Sequence, residues 1–158
     1  MTQQEAPQIS WICKKFEELT PFEVYQFLWL RNEVFVVEQN CVFQDADYKD
    51  QHCHHLMGFI KENQLAVYAR IVPPGLSYNE MAIGRVVANP QCRSKGLGKA
   101  LMQKAIQTCY DLYGAGDIKI GAQCYLKKFY TSFGFAQSSD VYLEDNIEHI
   151  EMILSAPK

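Results

Sequence analysis

Apolar residues recur along this chain in two periods, and the changes of period mark its elements. Ile9, Trp11 and Cys13 alternate with polar neighbours, the two-residue period of a half-buried strand. From Thr20 the spacing turns helical: Thr20-Pro21-Phe22-Glu23 supplies a cap, a proline at the first helical position and a glutamate three residues past the cap. The predicted helix carries Tyr25, Leu28 and Trp29 on its apolar stripe to about Asn32, and the run Val34 to Val37 reads as its continuation to near Glu38. Strands His55 to Lys61 and Leu65 to Val72 follow, joined by the hairpin-length turn Glu62-Asn63-Gln64 and ended by Pro73-Pro74-Gly75.

A strand at Ile83 to Ala88 leads to a helix over Leu97 to Tyr113, with Leu101, Ala105, Thr108 and Leu112 on one face and Gly114 and Gly116 as the stop. Asp117 to Gln123 reads as a buried strand and Leu126 to Phe133 as a short helix capped by Gly134. Phe135 through Leu143 and Ile150 to Leu154 form a last hairpin, its connection holding Glu144-Asp145-Asn146. No repeat, low-complexity tract or linker interrupts the pattern, so residues 1–158 are expected to be one domain.

The junction from Ile83 to Lys99 carries the chemistry. A strand that stops at Asn89-Pro90, crosses Arg93-Ser94-Lys95-Gly96-Leu97-Gly98 and enters a helix points unpaired backbone N–H groups at one spot, which the helix dipole makes positive. Between Glu80 and Asp111 there is no Asp or Glu, while Arg85, Arg93, Lys95, Lys99 and Lys104 fall there. The amides of Ser94 to Lys99 are therefore a candidate phosphate seat, and a positive φ is expected at Gly96 or Gly98. It is not a Walker loop, which needs Gly-Lys-Ser/Thr, nor a dinucleotide fingerprint, which needs glycine where Leu101 stands.

Arg93-x-x-Gly96-x-Gly98 after a strand resembles the pyrophosphate motif of the GNAT superfamily of acetyl-coenzyme A dependent N-acetyltransferases, and Phe129-Tyr130-Thr131-Ser132-Phe133-Gly134-Phe135 resembles its second signature. Leu30-Arg31-x-x-Val34-Phe35-Val36-Val37-Glu38-Gln39, Ala66-x-Tyr68-Ala69-Arg70, Ile83-Gly84-Arg85-Val86 and Glu144-Asp145-x-Ile147-x-His149 extend the resemblance, to the small ElaA-like branch, over nearly the whole chain. It implies a mixed α/β (α+β) GNAT fold. That fold is a mostly antiparallel twisted sheet of about six or seven strands, splayed between the central strand and its neighbour and flanked by about four helices. It implies acetyl-coenzyme A as co-substrate and a primary amine of a small molecule or protein as acceptor, with direct attack in a ternary complex. The pantetheine arm would pair with the free edge of Val86-Val87-Ala88, and Arg93, Leu97 and Lys99 belong to the motif's cofactor side. Tyr130 would protonate the departing thiolate.

The base is open among Glu144 and His149 near the last hairpin, with Glu38, Glu80 and Asp145 as further carboxylates; a water chain would also serve. On the acceptor side, Glu38, Asp145 and the string Asp45, Asp47, Asp50 read either as a lid attracting an amine or as a solvated face. Arg31, Arg70 and Arg85 read either as structural ion pairs with Glu33, Glu38 or the Asp45 group, or as binders of an acceptor carboxylate. Leu30-Arg31-x-x-Val34-Phe35 also resembles the opening of acyl-homoserine-lactone synthases, and a non-catalytic acyl-coenzyme A binding module is a further alternative.

Composition narrows the rest. With 48% hydrophobic and 21% charged residues and a net charge of −3, the chain reads as a soluble globular protein without nucleic-acid or membrane partners. Met1-Thr2-Gln3-Gln4-Glu5 lacks a secretory signal, so a cytoplasmic location is expected. Six cysteines without a Cys-x-x-Cys pair read as buried free thiols, and His52-Cys53-His54-His55 reads as entry to a strand rather than a metal site. Pairing of edge strands into a homodimer is left open.

Overall fold

The structure, a computed structural model, describes residues 8–93 and 95–158. Strand β1 (Ser10–Lys15) leads through a 3-10 turn to α1 (Pro21–Arg31), whose capping box forms as the sequence predicts. Glu23 N–H donates to Thr20 Oγ1 at 3.1 Å, and Thr20 N–H donates to Glu23 Oε1 at 2.8 Å. The helix passes without a break into seven residues of π-helix, Asn32–Glu38. Then come β2 (His54–Lys61), β3 (Gln64–Val72), β4 (Met81–Ala88), α2 (Leu97–Tyr113), β5 (Ile118–Gln123), α3 (Lys127–Thr131), β6 (Ala136–Gln137), β7 (Tyr142–Glu144) and β8 (Ile147–Leu154).

The eight strands form one sheet in the order β1-β2-β3-β4-β5-β8-β6, with β7 on β8; only β4 and β5 are parallel. Two counts, both made over the described residues, differ from expectation. There are eight strands because the final hairpin is split: Ser139 Oγ accepts from Glu151 N–H at 2.8 Å, taking a rung of the ladder and separating β6 from β7. Three α-helices flank the sheet rather than about four, because residues 21–38 are one uninterrupted helical rod. The β7–β8 turn places Asp145 and Asn146 both at positive φ (49° and 64°), the geometry of a tight hairpin whose twist matches its strands.

One face of the sheet packs α2 through Leu97, Leu101, Met102, Ala105 and Cys109 against Ile71, Ile83, Ile118 and Ile120. The other packs α1 through Phe27, Leu30 and Val34 against Met57, Tyr68 and Val87. The buried face of α1 is thus Glu23, Phe27, Leu30 and Arg31, continuing to Val34, and the predicted stripe is misplaced: Tyr25 and Trp29 are 71% and 51% exposed. Leu112 likewise turns outward from α2. Cys53, Cys92 and Cys109 are buried thiols as expected, but Cys13 of the edge strand is exposed and Cys41 and Cys124 are half-buried. No helix among the described residues is long and apolar enough to cross a membrane.

Candidate active site

The site begins where two parallel strands part. β4 and β5 pair only at Met81–Ile118 and Ala82–Lys119, so the β4 edge from Ile83 to Ala88 has no partner on that side. On its other side β4 stays paired to β3, with Tyr68 opposite Val87 and Val67 opposite Ala88. The expected splay is therefore present, and Val86, Val87 and Ala88 border it. Unpaired strand edges are costly unless a ligand or another strand takes their hydrogen bonds.

The strand exit is pinned. Asn89 N–H donates to Ala66 O at 2.7 Å, its side-chain amide donates to Leu65 O at 3.2 Å, and its Oδ1 accepts from Gln91 N–H at 3.0 Å. Arg93 then runs extended, and Gly96 takes φ +70° at the α2 cap. A Cβ at Gly96 would meet nothing within 4 Å, so the backbone angle, not crowding, calls for glycine there. The first bond inside the helix is Ala100 N–H to Gly96 O, at 3.2 Å. Among the described residues no side chain caps α2 and no acid lies in its first turn, so the Leu97, Gly98 and Lys99 amides and the dipole face outward. The Leu97 side chain is buried and anchors the turn, while Lys95 is exposed beside it. Ser94 lies outside the described residues. A diphosphate fits this donor set: consecutive amides, a positive helix end and flanking cations.

Arg93 grips Glu38 with both terminal nitrogens, at 2.8 and 2.9 Å, so Glu38 is an ion-pair partner of the loop that leads into α2. Tyr130, on α3, is 7% exposed, its ring edge-on to Phe129 and Phe135. Burial pushes its phenol up to about 12, so it keeps its proton through the neutral range.

On the α1 side of the sheet a second group gathers. His149 stands opposite Gln123 of β5 and Tyr142 of β7, so the three side chains share a face. His149 Nδ1 lies 2.7 Å from Ile147 O, which can only accept; Nδ1 therefore carries the hydrogen, and Nε2 of the neutral ring holds the lone pair. That Nε2 lies 3.6 Å from Glu144 Oε2, and the ring stacks on Tyr142. The Tyr142 and Tyr78 hydroxyls each come within 3.2 Å of where a Cβ on Gly121 would stand. Burial, then the neighbouring tyrosine and carboxylates, push Tyr142 up to about 12.

Gln123 donates to Gln39 Oε1 at 3.2 Å, and Cys41 Sγ donates to Asp145 O at 3.4 Å. The segment after the π-helix thus spans the open end of the splay to the β7–β8 turn. Asp145 contributes its carbonyl there; its side chain is exposed. Tyr78, Gly121, Gln123 and Tyr142 belong to no motif in the sequence. An isolated glycine inside an apolar strand, Gly121, was the available signal for a close approach.

The acidic string is neither a solvated face nor a free lid. Arg31, with no exposed surface, donates to Asp45 Oδ2 and to Asp50 Oδ1, each at 2.8 Å. Arg70 donates to Asp47 at 2.8 and 2.9 Å and to Asp50 at 3.0 Å, and Arg85 donates to Asp45 Oδ1 at 2.9 Å. Burial pushes the Asp50 carboxyl up, but its bonds to Arg31 and Arg70 outweigh that and hold it below its ordinary 3.8. The substrate reading of Arg31 and Arg70 gives way to the ion-pair reading, because buried guanidiniums with carboxylates already in place have no reach to an acceptor. Arg85 shares the network with its side chain 24% exposed.

Comparison with known proteins agrees with this geometry. Residues 33–156 match the family model described as an acetyltransferase (GNAT) domain. A UPF0039 protein of Synechocystis is 38% identical over 150 residues, covering 95% of this chain and 97% of that protein. The crystal structure of an acyl-CoA N-acyltransferase from Pseudomonas aeruginosa superposes with a TM-score of 0.89 at 39% identity, covering 94% of this chain and 100% of that one. Escherichia coli ElaA superposes with a TM-score of 0.85 at 38% identity, covering 92% and 99%. With the splayed sheet, the uncapped helix and the matched sequence in agreement, the chain belongs to the GNAT acetyltransferase family.

Proposed function

We propose that this protein moves an acetyl group from acetyl-coenzyme A to a primary amine of a small molecule or protein, by direct attack in a ternary complex. The observation that supports it most is the unpaired β4 edge ending beside the uncapped start of α2. An amide-rich arm can add to that edge as a strand while its diphosphate sits on the Leu97 to Lys99 amides, with Arg93, Lys95 and Gly96 around it. A bound thioester supplies the activated acyl group. The free β4 amides polarise its carbonyl oxygen.

The residues divide the proton traffic. His149 Nε2 holds the one lone pair of its ring and takes the proton of the incoming ammonium, directly or through water, while Glu144 at 3.6 Å stabilises the imidazolium. The Tyr130 hydroxyl gives its proton to the departing sulfur and regains one from the nitrogen of the collapsing tetrahedral adduct, directly or through water, so amine and thioester become amide and thiol. Because burial lifts the Tyr130 phenol to about 12, the rate is expected to show no fall from the phenol below about pH 10.

Titration calorimetry with coenzyme A, followed by release of free thiol from acetyl-coenzyme A against a panel of primary amines, tests this. Heat on binding and amine-dependent thiol are expected. No heat removes the cofactor assignment, and heat without thiol from any amine leaves a non-catalytic binding module.

A further inference from the structure

Arg85 stands where β4 sends two residues against one of β3: Tyr68 pairs with Val87 and Arg70 with Gly84, leaving Ala69 to face both Arg85 and Val86. This is a β-bulge, and its first residue, Arg85, has φ +50°. Glycine usually fills that position, because a side chain disfavours the left-handed region. The arginine is held there by its own head group. Nε donates to Asp45 Oδ1 at 2.9 Å, Nη2 donates to Asp45 O at 3.0 Å and approaches Asp47 Oδ2 at 3.5 Å, and the guanidinium lies over Phe43. The carboxylates are themselves fixed from the core, Asp45 by Arg31 at 2.8 Å and Asp47 by Arg70 at 2.8 and 2.9 Å.

A bulge bends and twists its strand, and the residues downstream of this one are Val86 to Ala88, the edge that has lost β5. We infer that Asp45 and Asp47, clamped by Arg31 and Arg70, act as positioning residues: they hold Arg85 in its left-handed bulge and so aim the Val86–Ala88 edge at the pantetheine amides of coenzyme A. This rests on the reading of that edge as the coenzyme A strand. The Asp45 group thus serves the donor half of the site through the backbone, without touching either substrate.

The test compares substitutions that differ in tolerance of positive φ. Arg85→Gly and Arg85→Asn accept the bulge without the clamp and are expected to bind coenzyme A within about twofold of the parent. Arg85→Ala, with neither clamp nor tolerance, is expected to bind about tenfold more weakly by calorimetry. Asp47→Asn, at the half-buried end of the network, should weaken binding, and adding Arg85→Gly should restore it. Equal losses in Arg85→Gly and Arg85→Ala would mean that the guanidinium itself meets a ligand, and no loss in any variant would mean that the clamp is idle; either overturns the inference. Hydrogen exchange of the Val86–Ala88 amides in the ligand-free protein gives a second readout. Faster exchange is expected in Arg85→Ala and Asp47→Asn but not in Arg85→Gly, and exchange identical to the parent's in all three refutes the clamp even if the parent binds no coenzyme A.

Discussion

Replacing Asp50 by alanine removes the carboxylate that joins Arg31 to Arg70 in the ion network. Asp50 is 7% exposed and accepts from Arg31 Nη1 at 2.8 Å, Arg31 Nη2 at 3.2 Å and Arg70 Nη1 at 3.0 Å. Hydrogen bonds to charged groups are each worth about 1.5–3 kcal/mol, and their plain sum overstates the loss, since Arg31 keeps Asp45 and Arg70 keeps Asp47. What remains is a guanidinium with no exposed surface and too few anions, a situation that costs about 3–5 kcal/mol. A domain of this size loses about 2–4 °C of Tm per kcal/mol, so a fall of roughly 6–20 °C is expected. The Asp50→Asn substitution keeps the volume and one acceptor and should lose about half as much. Circular dichroism during thermal and urea unfolding measures both. A loss below about 1 kcal/mol in Asp50→Ala, the worth of an exposed pair, would refute the closed network.

Stability should also record His55, whose buried ring lies 2.7 Å from the Tyr68 hydroxyl and 2.9 Å from Asp50 O. Burial holds its pKa below the ordinary 6.5, so below that pH the unfolded chain binds a proton that the folded one refuses. Stability is then complete above about pH 6.5 and declines on acidification through that point, with a second decline below 3.8 as the depressed Asp47 and Asp50 carboxylates protonate. His55→Gln should shrink the first step in a Tm-against-pH series, leaving the part that comes from His54, whose pKa burial also lowers, and keep the second. Tyr130→Phe should lower kcat by about 10²–10⁴ with coenzyme A affinity unchanged; an unchanged kcat would remove Tyr130 from the proton path. Gly58→Ala places a Cβ 2.6 Å from Val67 Cγ2 and 2.9 Å from Trp11, and should cost about 1–3 kcal/mol in urea unfolding.

Local signals in the sequence were faithful where the physics is local. Thr20-Pro21-Glu23 specified the start of α1, Gly114 the end of α2, and the two glycines around Leu97 the turn into that helix. The buried face of α1 was misread because one of its core positions is Arg31, whose partners lie 14 and 19 residues away. An apolar periodicity has no way to register a charge that is buried because it is paired. The same holds for Arg85, which reaches back 40 residues to Asp45, and for its bulge, whose left-handed residue is the arginine and not the neighbouring Gly84. The residues proposed for the phosphate seat and Tyr130 stand in contiguous motifs, which a sequence displays directly. The face made by Tyr78, Gly121, Gln123, Tyr142 and His149 is not displayed in that way, because strand register assembles it from separate segments.

Only two rungs, Met81–Ile118 and Ala82–Lys119, join the β1–β4 meander to the β5–β8 half of the sheet. Beyond so short a seam the two halves are held together by side chains alone, through one core that α2 covers on a single face. Coenzyme A lying along the gap as proposed would add a backbone tie between the two halves, and the protein is then expected to stiffen across its middle as it loads. Amides on either side of the seam should then slow their exchange together, although they belong to strands that never touch beyond Ala82.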